Sequence, residues 1–178
     1  SMFTGLTTFA DETNGKSNSI VTENSGATSS IYGVATDDEA YEEYTGTTGD
    51  CEWHYDGRTA TLTISGNGEM EPYYSGEDTP WNNFLYNIEK LVIEEGVTNI
   101  SSYSFFDCAN LVEVAIPNSV TEIGDFAFAS CASLTELAIG NGVESIGDSA
   151  FNECTCLAQV EIPDNVTTIG DNVFSGCL

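Results

Sequence analysis

The chain has 178 residues, with 3 Lys or Arg set against 29 Asp or Glu, a formal charge of −26. A surface this acidic repels phosphate backbones and anionic lipid headgroups, which argues against nucleic-acid binding and peripheral membrane docking. No apolar run approaches the roughly 20 residues that a membrane helix needs, and the length suits one domain with a small attachment.

Residues 1–45 are dominated by Ser, Thr, Gly and Asn, with few Leu, Ile, Val or Phe. Such a stretch buries too little apolar surface to offset the entropy of ordering it, so it reads as a polar, acidic tail or linker. If anything holds it, Ile31-Tyr32-Gly33-Val34 is the expected point of contact. Residues 2–10 also allow a reading as the end of a secretory leader, with Thr8 and Ala10 at the small positions before a cut. Asp37-Asp38-Glu39 with Glu42-Glu43 is the densest acidic cluster, but its spacing fits no calcium loop and a solvated linker is the plainer reading.

Residues 46–87 read as a small β-hairpin cap. Cys51 to Tyr55, the turn Asp56-Gly57, and Arg58 to Ser65 give strand, turn and strand. Trp53 and Tyr55 share one face, which Leu62 and Ile64 can join, and Pro80-Trp81-Asn82-Asn83-Phe84 delivers aromatics against the residues after 87. Trp53, Tyr73, Tyr74 and Trp81 could form a sugar-stacking platform, although aromatics in a small cap more often form its core.

From residue 88 onward the chain repeats itself every 23 residues, in units that begin at Ile88, Leu111, Leu134 and Leu157. The fourth position reads Leu91, Val114, Leu137, Val160 and the sixth Ile93, Ile116, Ile139, Ile162. The tenth is Val throughout, at 97, 120, 143 and 166, and the thirteenth Ile, at 100, 123, 146 and 169. Phe105, Phe128, Phe151 and Phe174 fill the eighteenth position, and Cys108, Cys131, Cys154 and Cys177 the twenty-first. Alternation at positions four and six predicts a short strand with both side chains inward. Gly124-Asp125, Gly147-Asp148 and Gly170-Asp171 predict a tight bend and an Asp that caps a short helix. Stacking such units closes each one's open apolar side. The expected fold is therefore an α/β solenoid: a right-handed coil with a parallel sheet face and short helices, preceded by the hairpin cap.

The pattern Leu111-x-x-Val-x-Ile-Pro117-x-x-Val-x-x-Ile-Gly124-x-x-Ala-Phe128-x-x-Cys131 resembles the BspA-like leucine-rich repeat of bacterial surface proteins. All four units over 88–178 carry it, and Trp53, Thr61-Leu-Thr-Ile-Ser-Gly66-x-Gly68-x-Met70 and Pro80-Trp81 resemble the segment that often precedes such arrays. The resemblance implies a secreted or cell-surface protein used for adhesion or protein recognition, and it carries no catalytic residues over.

The six cysteines invite a disulfide or zinc reading. Four recur once per coil, which favours one buried file of free thiols pointing in parallel, a poor arrangement for bridging. Cys154-Thr155-Cys156 lacks zinc-knuckle spacing, and Cys156 is expected at the surface. The single histidine, His54, should point away from Trp53 and Tyr55, and no Gly-x-Ser-x-Gly, Walker or dinucleotide fingerprint occurs. The reading is noncatalytic, with no cofactor and no metal.

What remains is the outward sheet face. Its columns are Lys90, Glu113, Glu136, Gln159 and Val92, Ala115, Ala138, Glu161, a shallow strip with small residues in the middle and acid around it. We expect it to receive a basic or neutral protein surface, with the rim charges steering the encounter. The other readings are a structural spacer of a larger surface protein and carbohydrate binding through the cap aromatics. The sequence stops on a repeat boundary without a polar closing segment, so a longer natural protein is expected or, failing that, a homodimer through the uncapped end.

Overall fold

The computed structural model describes the backbone of residues 6–11, 16–22 and 28–33 and the whole of 41–178. Two sheets organise it. The first six strands are β1 (Leu6–Asp11), β2 (Lys16–Thr22), β3 (Thr28–Gly33), β4 (Glu43–Thr48), β5 (Cys51–Asp56) and β6 (Thr61–Gly66). They pair antiparallel in chain order. Strands β1 to β3 fall within the stretch that composition reads as a tail; the edge of β4 offers them unpaired backbone groups, and a ladder needs no apolar composition. The Asp37–Glu39 cluster lies outside the described residues, as do parts of the 2–10 leader reading and of the Ile31–Val34 patch.

At β6 the sheet changes character. Thr61 to Ile64 pair parallel with β7 (Lys90–Ile93), so Leu62 lies beside Leu91 and Ile64 beside Ile93. The second hairpin strand is thus the first strand of the stack, and residues 61–87 run as an irregular coil of their own. It turns through two short 3-10 segments, Gly76–Asp78 and Asn82–Asn87. β9 (Glu113–Ala115) and β11 (Glu136–Ala138) then add one strand per unit, residue i facing i+23. The fourth unit adds none to this sheet, although the repeat predicts a strand through Val160.

A second parallel sheet, which the pattern did not announce as strands, stacks the thirteenth position. It comprises β8 (Asn99–Ile100), β10 (Glu122–Ile123), β12 (Ser145–Ile146) and β13 (Thr168–Ile169). Between the two sheets lies one continuous core. The repeated apolar columns are buried through the first two units, and in the third only Leu137 and Ile139 are half-buried. In the last unit Val160, Ile162, Val166 and Phe174 are half-buried and Ile169 is 51% exposed.

The short helix expected after each Gly-Asp pair is absent: that stretch runs as turns. The reason is visible in the backbone. Positions sixteen and twenty are left-handed in each unit: Tyr103 and Asp107, Phe126 and Ser130, Ser149 and Glu153, Asn172 and Gly176, all with positive φ. Left-handed residues at that interval forbid a right-handed helix of L-residues. Alternate N–H groups instead turn sideways: Phe126, Phe128 and Ser130 donate to the carbonyls of Asp148, Ala150 and Asn152 in the next unit at 2.7–2.9 Å. A helix would spend those donors along its own axis, so interstrand-like bonding wins over helix propensity. The Asp predicted to cap a helix serves the next coil instead, Asp125 Oδ1 accepting from Asp148 N–H and Asp148 Oδ1 from Asp171 N–H, each at 2.7 Å. The glycine before it is required by proximity, since a Cβ on Gly147 would collide with Asp125 of the preceding unit.

Candidate interaction surface

β7, β9 and β11 alternate inward and outward, so the side chains predicted for the strip emerge on one face. Lys90, Glu113 and Glu136 follow each other in register, as do Val92, Ala115 and Ala138. All eight candidate residues (these six with Gln159 and Glu161) are exposed, Val92 by 44%. Glu113, Ala115, Glu136, Ala138, Gln159 and Glu161 come together around a shallow depression of about 320 Å³. Its floor is Val114, Leu137 and Val160, and Thr135 completes the wall. Lys90 and Val92 continue the two columns outside it.

The depression exists because the second column is alanine at 115 and 138: these small side chains leave the Glu113 and Glu136 carboxylates standing proud beside them and Glu161 at their end. Glu113 and Glu136 are direct register neighbours of like charge, an arrangement that costs stability. No ion pair among the described residues offsets it, although Lys90 stands in register with Glu113. Among the described residues the only contact between a carboxylate and a basic side chain is His54 Nε2 with Glu43 Oε1 at 3.0 Å, and Arg58 lies over the Tyr41 ring at 4.1 Å. The sequence reading missed Thr135; its signal was the second position of the unit, where Val112 is also exposed.

The aromatic platform does not assemble. Trp53, Tyr73 and Trp81 are buried in the core, and of the four candidates only Tyr74 is exposed, at 83%. Trp81 stacks on Phe105 with centroids 5.5 Å apart and donates its Nε1–H to Ser104 O at 2.7 Å. Tyr73 shares a 2.6 Å hydrogen bond with Thr48 Oγ1, and burial pushes its phenol well above the ordinary range. Trp53 meets Trp81 edge-on and covers Gly46, where a Cβ would lie 2.7 Å from the indole. No ring face of these three is left for a sugar, so the aromatics serve packing.

The cysteine file follows the spacing through the first three units, and at its end Cys177 is half-buried. Cys108, Cys131 and Cys154 are buried, Cys156 is exposed, and all six cysteines are free. Within the file each thiol from Cys131 onward donates back to the eighteenth-position carbonyl of the preceding unit, Cys131 to Phe105, Cys154 to Phe128 and Cys177 to Phe151, all at 3.3 Å. Cysteine is small enough for the site and still brings a weak donor to a buried carbonyl. Burial pushes the Cys108 and Cys154 thiols up to about 12 and raises Cys131 well above the ordinary thiol range. Such thiols are neither nucleophiles nor metal ligands at neutral pH.

Coils of constant length, stacked by parallel ladders and presenting one exposed sheet face, define a leucine-rich-repeat solenoid. The sequence matches the BspA type leucine rich repeat region (6 copies) over residues 81–178, and the chain belongs to that family. Among solved structures it is similar to a leucine-rich repeat protein from Eubacterium ventriosum, with 29% identity and a TM-score of 0.70 over 76% of this chain and 36% of that one. A leucine-rich repeat protein from Bacteroides ovatus shares the fold at 20% identity, with a TM-score of 0.52 over 98% of this chain and 38% of that one. The chain therefore spans little more than a third of the length of these two proteins. No curated protein matches it.

Proposed function

We propose that this chain is a noncatalytic interaction module of a secreted or cell-surface protein, and that it binds a basic protein surface across the strip of β7, β9 and β11. Membership of a leucine-rich-repeat family supports a protein-interaction role, and the greater length of its structural neighbours supports a larger parent molecule. The observation that carries the reading is the depression itself: Ala115 and Ala138, flanked by Glu113 and Glu136 and followed by Glu161, whose carboxylates form no ion pair among the described residues. A rigid sheet face binds with little ordering cost, and unpaired rim carboxylates accelerate encounter with a cationic partner.

Label-free binding to a panel of basic and neutral matrix proteins and glycans, at physiological salt, tests it. A saturable protein hit is expected to weaken at least tenfold, about 1.4 kcal/mol, in the Glu113→Lys, Glu136→Lys double variant. Circular dichroism establishes that the variant is folded. Unchanged affinity in the folded variant, or binding confined to glycans, sinks the strip as the binding face.

A further inference from the structure

Asn-Gly pairs are the peptide bonds most open to succinimide chemistry, because glycine leaves the following nitrogen unshielded. The described residues contain two, Asn67-Gly68 and Asn141-Gly142, and the structure treats them differently. Gly68 N–H donates to Gly96 O at 3.0 Å, so its nitrogen is engaged in the first interface of the stack. Gly142 N–H donates to nothing among the described residues.

The repeat supplies internal controls. Asn141 occupies the eighth position of its unit and Gly142 the ninth. In the first unit the ninth-position N–H, that of Gly96, donates to Ser119 Oγ at 3.0 Å. In the second, Ser119 N–H donates to Glu95 Oε2 at 3.1 Å, and the Asn118 side chain is itself occupied, Oδ1 accepting from Asn141 N–H at 2.8 Å. In the third unit both engagements lapse. Asn141 is exposed and its side-chain amide has no hydrogen-bond partner among the described residues. The glycine after it is obligatory, since a Cβ there would collide with the Asn118 carbonyl oxygen.

We infer that Asn141 is a site of spontaneous modification by deamidation. The Gly142 amide nitrogen loses its proton and bonds to Asn141 Cγ. The Cγ–Nδ2 bond breaks, and that nitrogen leaves as ammonia, closing a succinimide. Water then opens the ring at either carbonyl, to give aspartate or isoaspartate. Aspartate fits the column, because Asp164 already stands at the eighth position of the fourth unit. Isoaspartate does not. It inserts a methylene into the backbone between β11 and β12, where Gly142 is pressed against Asn118 O and Asn141 O accepts from the Asn165 amide. The product therefore loosens the third coil against both of its neighbours.

The folded protein, aged at mildly alkaline pH and 37 °C and cleaved after glutamate, reports each site in its own peptide: 53–69 for Asn67, 114–122 for Asn118 and 137–144 for Asn141. The 137–144 peptide is expected to gain the mass of deamidation first, with isoaspartate among the products. The 53–69 peptide should lag by about fivefold or more, the factor that breaking one backbone hydrogen bond imposes. In denaturant the two Asn-Gly peptides should convert alike. Aged protein should unfold at lower urea than fresh protein, while Asn141→Asp unfolds as the fresh protein does and Asn141→Ser does not age. Equal conversion of Asn67 and Asn141 in the folded state would overturn the inference, as would a 137–144 peptide that stays intact when folded yet converts in denaturant.

Discussion

The two halves of the core hold their aromatic rings in opposite ways. Between residues 44 and 84 the rings meet at every angle: Trp53 and Trp81 cross at 78°, Tyr73 and Trp81 at 77°, Tyr55 and Phe84 at 33°, while Tyr44 and Phe84 lie within 8° of parallel. In the repeats one contact recurs: Phe105 on Phe128, Phe128 on Phe151 and Phe151 on Phe174, at 5.2–5.6 Å and within 23° of parallel. Translation by one coil forces that likeness, because identical side chains on stacked backbones must face each other in parallel. Where nothing is repeated, each contact is set separately. Trp81 joins the two regimes, belonging to the irregular cluster by one edge and heading the stacked column by its face.

Variants can test whether the regular column behaves as a chain of nearest-neighbour contacts. The largest effect is expected from Phe128→Ala, which removes a fully buried ring packed on both faces and should cost about 3–5 kcal/mol in urea unfolding. Phe174→Ala, half-buried and packed on one face, should cost clearly less. Equal losses would mean that the coils do not act through their neighbours alone.

Alkaline pH should act on both regions, on the irregular cluster through its buried phenols and on the repeats through their buried thiols. The buried thiols have folded values above their unfolded ones, so below about pH 9 both states are protonated and stability is flat. As pH rises towards 12 the unfolded state holds fewer protons, and each buried thiol removes up to about 1.4 kcal/mol per pH unit. Urea titrations at stepped pH should show this decline, and Cys131→Ala should make it shallower. A slope unchanged in that variant would locate the sensitivity elsewhere.

The exposed ladders should be worth less. Asp125→Ala deletes the acceptor of Asp148 N–H and should cost about 0.5–1.5 kcal/mol. Asp171→Ala, whose carboxylate receives no such bond among the described residues, should cost next to nothing, and a matching loss there would show that charge rather than the ladder matters. Smallest of all, Glu136→Lys should raise stability by about 0.2–1 kcal/mol by relieving the like-charge neighbour Glu113, which keeps Lys90 in register on its other side. A loss of stability would mean that the two carboxylates are not in repulsive contact.

The same contrast explains what could be read without coordinates. Periodicity exposed the columns, the buried thiol file and the outward strip, because each demands one residue type at one spacing. It did not expose the turns at positions sixteen and twenty, where Tyr103, Phe126, Ser149 and Asn172 share a backbone conformation but no chemistry. The missing helices have that cause: Gly-Asp looked like a cap because side-chain capping is usually local, whereas here it reaches across to the next coil. The register of β6 on β7 was hidden for a related reason, since the 29 residues from Leu62 to Leu91 break the interval of 23. Of the aromatic platform, only the exposure of Tyr74 was consistent with a surface role, and a tally of ring types cannot separate a platform from a core.

Trp53 and Trp81 are the only tryptophans in the chain, and both precede the first repeat. Intrinsic fluorescence therefore watches the irregular cluster on which the repeats stack, while backbone ellipticity sums over every coil. An all-or-none protein gives the two signals one midpoint. A stack that peels from its far end loses ellipticity first and keeps its emission until the last interface opens, so two spectroscopic curves on a single sample reveal the direction in which the fold comes apart.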